Sequence, residues 1–397
     1  MTPMKNTYSR RSFLDLGLGS LAAGMLGSLP QAKAAQPTKI DRALVCIFLF
    51  GGNDSNNMIV PLSSQDYRSY AGIRGPLALD SASLPQITAL KSQAPYGLHP
   101  QLAELQALYQ RGALAVLANV GPLIQPITKA QYVAGAAPLP TKLFQHCDGQ
   151  LQYVPYGFAT LNWAGRAVNP SRPLASEQIF TFEGGLSLAA LERAVIHGNR
   201  WENPALKAAM ASAPQMRTAF PQSSLGFQLQ QVTKLLQVAP AHGLSRPIFF
   251  CSFGGFDTHS GQLERQAALL SELSQSMAAF YDATVELGLS RNVTTFTQGD
   301  FNRTLAPNGQ SGSEHGWGGH QLIMGDSVVG GDVYGAFPTL ALGGPDDAGS
   351  AGSWIPTSAT DQYGATLASW FGVRRSDLTT LFPNLANFAV TDLGFLA

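Results

Sequence analysis

The sequence predicts an α/β fold around a mostly parallel sheet, and three observations point there. Apolar runs of strand length alternate with segments of helical period. The runs are continuous rather than alternating, as in strands buried on both faces. Polar, glycine-rich loops follow several of them, at the edge where such sheets carry ligands. Asp54, Asp257, His259 and Asp300 all stand just past the end of such a run.

In chain order, the first 34 residues read as an export signal. Ser9-Arg10-Arg11-Ser12-Phe13-Leu14 is a twin-arginine pattern, a mild apolar run from Leu16 to Leu29 follows, and Ala32-Lys33-Ala34 offers a cleavage site. That run is too short and too rich in Gly and Ser to span a bilayer. The expected destination is the periplasm or the exterior, through the twin-arginine pathway, with no integral membrane segment after signal removal.

Residues 35–397 are expected to form one domain, with an irregular insertion around 121–245. Ala43 to Phe50, "ALVCIFLF", is the first buried strand and ends in "GGNDSNN". "HPQLAELQALYQRG" reads as an amphipathic helix stopped by Gly112, and "ALAVLANVG" as a second strand. The insertion is Pro-rich, with short helices such as Ser187 to His197. "RPIFFCSF" (Arg246 to Phe253) is the third strand and runs straight into "GGFDTHSGQ". Gln262 to Leu287 is a long helix, "NVTTFTQ" a fourth strand ending at Gly299-Asp300, "HQLIMG" a further strand and "GATLASWFGV" a late helix.

Composition narrows the partners. The whole chain balances 25 basic against 25 acidic residues, and only 13% of it is charged. Without the signal the count is 21 to 24, with no basic run, which excludes a nucleic-acid footprint. Cys46 and Cys251 each sit in an apolar strand, where a buried thiol is the usual state, although an oxidising compartment would let them pair.

The chemistry-bearing residues gather in two glycine-rich loops. "FGGFDTHSGQ" holds Asp257 and His259, and "GSEHGWGGHQ" holds Glu314, His315 and His320. With Asp54 and Asp300 they make a mixed carboxylate and imidazole set. Such a set suits zinc, manganese or iron, whereas carboxylates alone favour magnesium or calcium. Two ions about 4 Å apart would clamp the attacking and leaving oxygens of a phosphate or sulfate ester.

Several blocks together resemble one family. "LVCIFLFGGNDSNNMIVP", "GLHPQLAELQALYQRGALAVLANVG", "NWAGRA", "FGGFDTHSGQ", "GDFNRTLAPNGQSGSEHGWGGHQLIMGDSVVGG" and "WFGVRRSDLTTLFPNL" are similar to the family named domain of unknown function 1501. The resemblance runs from about Leu44 to Phe388. That family in turn resembles a distant branch of the alkaline phosphatase and sulfatase superfamily, which implies an alkaline-phosphatase-like α/β/α sandwich and a two-metal site.

Carried over by position, the resemblance implies Asp54 as ligand of one metal, with His315 and a neighbouring acid completing it. Asp257, His259 and His320 would hold the other. For the acid beside His315, Asp300 is expected as ligand, because a strand end fixes it, and Glu314 as an outer group. The chain has Asp300-Phe301-Asn302-Arg303 where relatives carry Glu-Phe-Gly-Arg, and Glu314-His315-Gly316 where they carry Asp-His-Gly.

Relatives also carry Ser-His-Phe where this chain reads Gln145-His146-Cys147. His146 is therefore a catalytic candidate without the adjacent serine. Cys147 as thiolate or Ser55 could supply a nucleophile, although Ser55 also reads as a turn residue. "CDGQ" lacks the Pro and Arg that mark a sulfatase cysteine for conversion. Arg303 either steadies an anionic substrate or pins its own loop. Two functions follow as expectations: an exported metal-dependent hydrolase of phosphate or sulfate esters, or a non-catalytic envelope or surface-assembly protein that keeps the fold.

Overall fold

The apolar run after Arg42 forms strand β1 (Ala43–Leu49), and every residue of it is buried. The computed structural model describes residues 39–140, 143–146, 179–182 and 204–397. The expected export signal, the Ser187 to His197 helix, the "NWAGRA" block and Cys147 lie outside the described residues.

After β1 come the one-turn helix α1 (Ser55–Met58), β2 (Ile59–Pro61), α2 (Ser64–Arg74), β3 (Gln86–Thr88) and β4 (Pro95–Leu98). Then follow α3 (Ala103–Gln110), β5 (Leu114–Gly121), α4 (Lys129–Val133), β6 (Ile179–Phe182), α5 (Pro204–Ala211) and α6 (Ser224–Val238). The remainder is β7 (Ile248–Phe253), α7 (Gln262–Glu286), β8 (Val293–Gly299), β9 (Gly319–Met324), β10 (Val333–Tyr334), β11 (Ser358–Ala359), α8 (Thr360–Phe371) and α9 (Leu378–Leu381).

The main sheet has the order β10-β5-β9-β8-β1-β7-β6, with β11 also on β5. Pairings are parallel for β1 with β7 and β8, for β6 with β7, and for β10 and β11 with β5. Strand β9 runs antiparallel to both β5 and β8. The loop from β8 to β9 holds no crossover helix, so the chain turns back at the same edge and must reverse direction. A smaller antiparallel sheet, β2-β4-β3, was not expected from the sequence.

Alternation along β1 divides the core. Ala43, Val45, Ile47 and Leu49 face one cluster, shared with α6 (Leu229, Val232) and α7 (Leu273, Met277). Leu44, Cys46 and Phe48 face the other, shared with Tyr363, Leu367 and Trp370 of α8. The result is an α/β/α sandwich in which each fully buried aliphatic or aromatic side chain contributes about 1.5–3 kcal/mol. Part of the stretch expected to be irregular belongs to this sandwich, since β6 pairs with β7 and α6 packs on α7.

The same alternation settles the cysteines. Cys251 is the register partner of Ile47, one residue off Cys46, so the two thiols lie in opposite core clusters. Both are buried and free. Among the described residues no helix is long and apolar enough to cross a membrane.

Candidate metal centre

Parallel register sets Leu49, Phe253 and Gly299 side by side at the ends of β1, β7 and β8. The loops that follow, and the loop that enters β9, therefore share one edge of the sheet. There the backbones touch. Gly51 has φ +110, and a Cβ on it would stand 2.3 Å from the Asp257 nitrogen, so only glycine lets the loop after β1 approach the loop after β7. Its N–H donates to Asp300 Oδ2 at 2.6 Å. Gly312 meets the His259 carbonyl carbon in the same way, at 2.1 Å for an added Cβ.

On this frame three atoms converge. His259 Nε2 lies 3.1 Å from His315 Nε2 and 3.0 Å from Asp257 Oδ1, and His315 Nε2 lies 3.3 Å from the same oxygen. Both rings are fixed from behind. His315 Nδ1 stands 2.7 Å from the Phe144 carbonyl, and His259 Nδ1 stands 2.9 Å from Glu314 Oε2. Each acceptor is served by a proton on Nδ1, the tautomer that would leave a lone pair on each Nε2 for an ion. Burial, with the Arg303 and His146 charges, holds His315 below its ordinary pKa despite its bond to Phe144 and its contact with Asp257. Phe144 adopts a left-handed φ of 64, an uncommon conformation for a bulky residue, where it presents its carbonyl to the ring.

Three lone pairs thus face one point. Four donors about 2.1 Å from a tetrahedral ion stand about 3.4 Å apart, close to the observed spacing. The outer partners are the carboxylate and carbonyl that orient metal-binding histidines. Among the described residues a cluster of His146, Asp257 and His315 also meets the spacing of a metal site. His146 Nε2 lies 3.3 Å from Asp257 Oδ2 and its Nδ1 3.6 Å from Asp300 Oδ2. Formal charges on Asp257, Asp300 and Glu314, less that on Arg303, leave two negative charges for a divalent ion to balance.

Arg303 is fully buried and donates to Asp257 Oδ1 at 2.8 Å, to the Gly51 carbonyl at 3.3 Å and to the Ser313 carbonyl at 2.5 Å. The guanidinium pins three loops together. Burial opposes the Asp257 charge, but the hydrogen bond and charge of Arg303, with His146 and His259, outweigh it and hold the carboxyl below its usual range. Glu314 is also lowered, chiefly by the Asn308 amide that donates to it at 2.7 Å. Glu314 thus partners His259, whereas His315 has the Phe144 carbonyl as its outer partner.

Asp300, expected as the ligand beside His315, accepts from the Gly51 N–H and faces His146, and Asp54, Ser55 and His320 also stand apart from this convergence. Asp54 is buried; its Oδ2 accepts from Arg74 and Gln262, and its Oδ1 from the Asn56 backbone and side chain at 3.2 and 3.1 Å. A carboxylate surrounded by donors is an anchor rather than an open ligand. Ser55 donates its hydroxyl to Asn302 Oδ1 at 2.9 Å, and its backbone N–H goes to the same oxygen, so it caps a fold contact. His320 is the second residue of β9, in the strand that "HQLIMG" predicts. Its ring stacks on Phe337 at 4.4 Å, its Nδ1 accepts from the Asn119 N–H at 3.1 Å, and burial lowers its pKa to about 3. Sequence reasoning missed Arg74, Gln262 and Asn302, whose partners are remote in the chain.

Comparison with known proteins gives a family match over part of the chain. Residues 206–348 match the model of the family described as Protein of unknown function (DUF1501). This is the family that the sequence blocks resemble. The matched residues include Asp257, His259, Asp300, Arg303, Glu314, His315 and His320, while Asp54, Ser55 and His146 precede them. No curated protein matches the sequence.

Solved structures are similar at low identity. One is Ps i-CgsB in complex with k-i-k-neocarrahexaose (9% identity, 89% of this chain and 77% of that one, TM-score 0.39). A second is the lipoteichoic acid synthase LtaP from Listeria monocytogenes (7%, 88% and 77%, 0.37). A third is the C-terminal periplasmic domain of EcEptC from Escherichia coli in complex with Zn (11%, 72% and 73%, 0.31).

Proposed function

We propose that this protein is an exported, metal-dependent hydrolase of phosphate or sulfate esters, a distant relative of the alkaline phosphatases and sulfatases. The observation that carries the reading is the convergence of His259 Nε2, His315 Nε2 and Asp257 Oδ1 within 3.3 Å of one another, each ring held at Nδ1 by an acceptor. Two imidazoles and a carboxylate suit zinc, and manganese or iron accept the same donors; magnesium and calcium prefer oxygen alone. Lewis acidity toward an ester oxygen is the chemistry such an ion supplies.

The chain's own residues have distinct parts. Asp257, His259 and His315 hold the ion, Glu314 and the Phe144 carbonyl orient the rings, and Arg303 fixes Asp257. With the Ser55 hydroxyl committed to Asn302, and Cys147 outside the described residues, water is the attacking group we assign. Its oxygen bonds to phosphorus or sulfur as the bond from that atom to the ester oxygen breaks, and His146, between Asp257 and Asp300, takes the water's proton and passes it to the departing oxygen, which leaves as an alcohol. Export rests on Arg10-Arg11 and the Ala32-Lys33-Ala34 site.

The test is hydrolysis of aryl phosphates and aryl sulfates by metal-stripped and zinc-loaded protein. Metal-dependent release of the phenol from one of them is expected. Equal rates for the stripped and loaded forms, or none above buffer, would remove the enzyme reading. The second reading, a non-catalytic envelope protein, is favoured by the committed Ser55 and Asp54 side chains and predicts that last outcome.

A further inference from the structure

We propose that Arg74 is a fixed internal cation that neutralises Asp54, so that the centre takes a single divalent ion instead of two. The proposal rests on the metal reading above and deepens it. The two-metal expectation assigns Asp54, the acid after β1, to one of the ions. The residues around Asp54 do not fit that role.

A carboxylate offers about four lone-pair sites, and a ligand must keep one open. Asp54 has none open. Arg74 and Gln262 donate to Oδ2, and the Asn56 N–H and Nδ2 donate to Oδ1. The Asp54 carbonyl is taken as well, by Gln266 Nε2 at 2.5 Å. All of these contacts are donors, the polarity opposite to what a cation needs.

The guanidinium has a built site of its own. Arg74 is fully buried, and beyond Asp54 it donates from Nε to Asn57 Oδ1 at 3.0 Å. From Nη1 it donates to the Thr304 and Leu305 carbonyls at 2.9 and 2.8 Å. The Tyr70 hydroxyl holds Asn57 Oδ1 in place at 2.8 Å. Burial, then the neighbouring Arg303 charge, lower the Arg74 pKa to about 9, so it remains charged at neutral pH. A dry, neutral ion pair leaves no net charge for a divalent ion to balance, and placing one there would carry a desolvation penalty with no compensating partner. The open cluster across the loop has the opposite balance.

The pair and the cluster share one rigid frame. Gln262, which donates to Asp54, accepts from the Ser313 hydroxyl at 2.5 Å. The Ser313 carbonyl accepts from Arg303, which donates to Asp257. Asn56 Nδ2 donates to the Arg303 carbonyl at 2.9 Å, joining the two aspartates a second way. Asp54 and Arg74 thus lie behind the cluster, with Gln262, Asn56, Ser313 and Arg303 between them and the groups that would hold the ion.

Metal stoichiometry tests this on the purified full chain. Stripped protein is titrated with zinc and counted by mass spectrometry, and separately loaded with manganese for electron paramagnetic resonance. The expected result is about one equivalent per chain and an isolated-ion spectrum. Asp54→Asn should keep that equivalent, whereas Asp257→Asn should weaken binding by about 100-fold or more. Two equivalents, a spin-coupled manganese pair, or loss of an ion in Asp54→Asn would overturn the single-ion proposal while leaving the metal reading intact. No bound metal in the wild type would overturn both. Should Asp54→Asn not fold, the wild-type count and spectrum decide alone.

Discussion

His259 Nε2 and His315 Nε2 stand 3.1 Å apart, and both rings have their proton called to the far nitrogen, by Glu314 and by the Phe144 carbonyl. In that tautomer a cation between the two Nε2 atoms removes the repulsion of their lone pairs. Glu314 acts here through His259, so Glu314→Gln should lower zinc affinity by about 10–100-fold. His315→Ala, which removes a donor, should lower it further. Competition with a chromophoric chelator reads both. Unchanged affinity in Glu314→Gln would mean that the carboxylate does not orient the ring.

Loop packing brings Gly312 against the His259 backbone. A Cβ at Gly312 would sit 2.1 Å from the His259 carbonyl carbon, while one at Gly309, three residues earlier, meets nothing within 4 Å. Gly312→Ala should therefore displace His259 and cut metal affinity. Gly309→Ala should leave affinity alone and change stability by less than about 1 kcal/mol. Isothermal titration of the two variants side by side makes the comparison, and equal behaviour would count against the steric account.

The Arg74–Asp54 pair is buried on both sides. Removing one partner of such a pair costs about 3–5 kcal/mol, because the other charge stays in a dry site. Arg74→Met should show that loss in denaturant unfolding, and adding Asp54→Asn to it should restore part of the loss. A single variant as stable as the wild type would show that the pair is open to water.

Acid should weaken the metal-stripped fold through two buried histidines. Burial lowers His99 to about 4 and His320 to about 3. The unfolded chain titrates them near 6.5, so below that pH it binds protons that the folded chain does not. The sign is a loss of stability as pH falls from about 6.5, at about 1.4 kcal/mol per pH unit for each histidine, until the folded values are reached. His99→Asn keeps an acceptor for the Gln101 N–H that His99 now takes at 3.2 Å, and should remove one histidine's share of the slope. Unfolding free energies between pH 7 and 4 check this, and an identical slope in the variant would contradict it.

These predictions depend unevenly on what the sequence made legible. β1, β7 and β8 were readable because a continuous apolar run marks a strand buried on both faces, and their loops then had to share an edge. The direction of β9 was not readable, since periodicity carries no orientation. Asp257, His259, Glu314 and His315 were found by adjacency within glycine-rich loops. Asp54 was also found, but its partner was not: Arg74 ends a polar helix, and nothing local marks an arginine that will be buried. His320 is legible as the start of the strand "HQLIMG", but not its packing, because Asn119 and Phe337, which meet its ring, lie elsewhere in the chain. Long-range partners decide such positions, and a single sequence does not display them.

Anomalous diffraction at the zinc edge from zinc-loaded crystals tests the central claim most directly. One peak is predicted, about 2.0–2.2 Å from His259 Nε2, His315 Nε2 and an Asp257 oxygen. A peak on Asp54 or His320, or a zinc-saturated crystal with none between the two imidazoles, would contradict it.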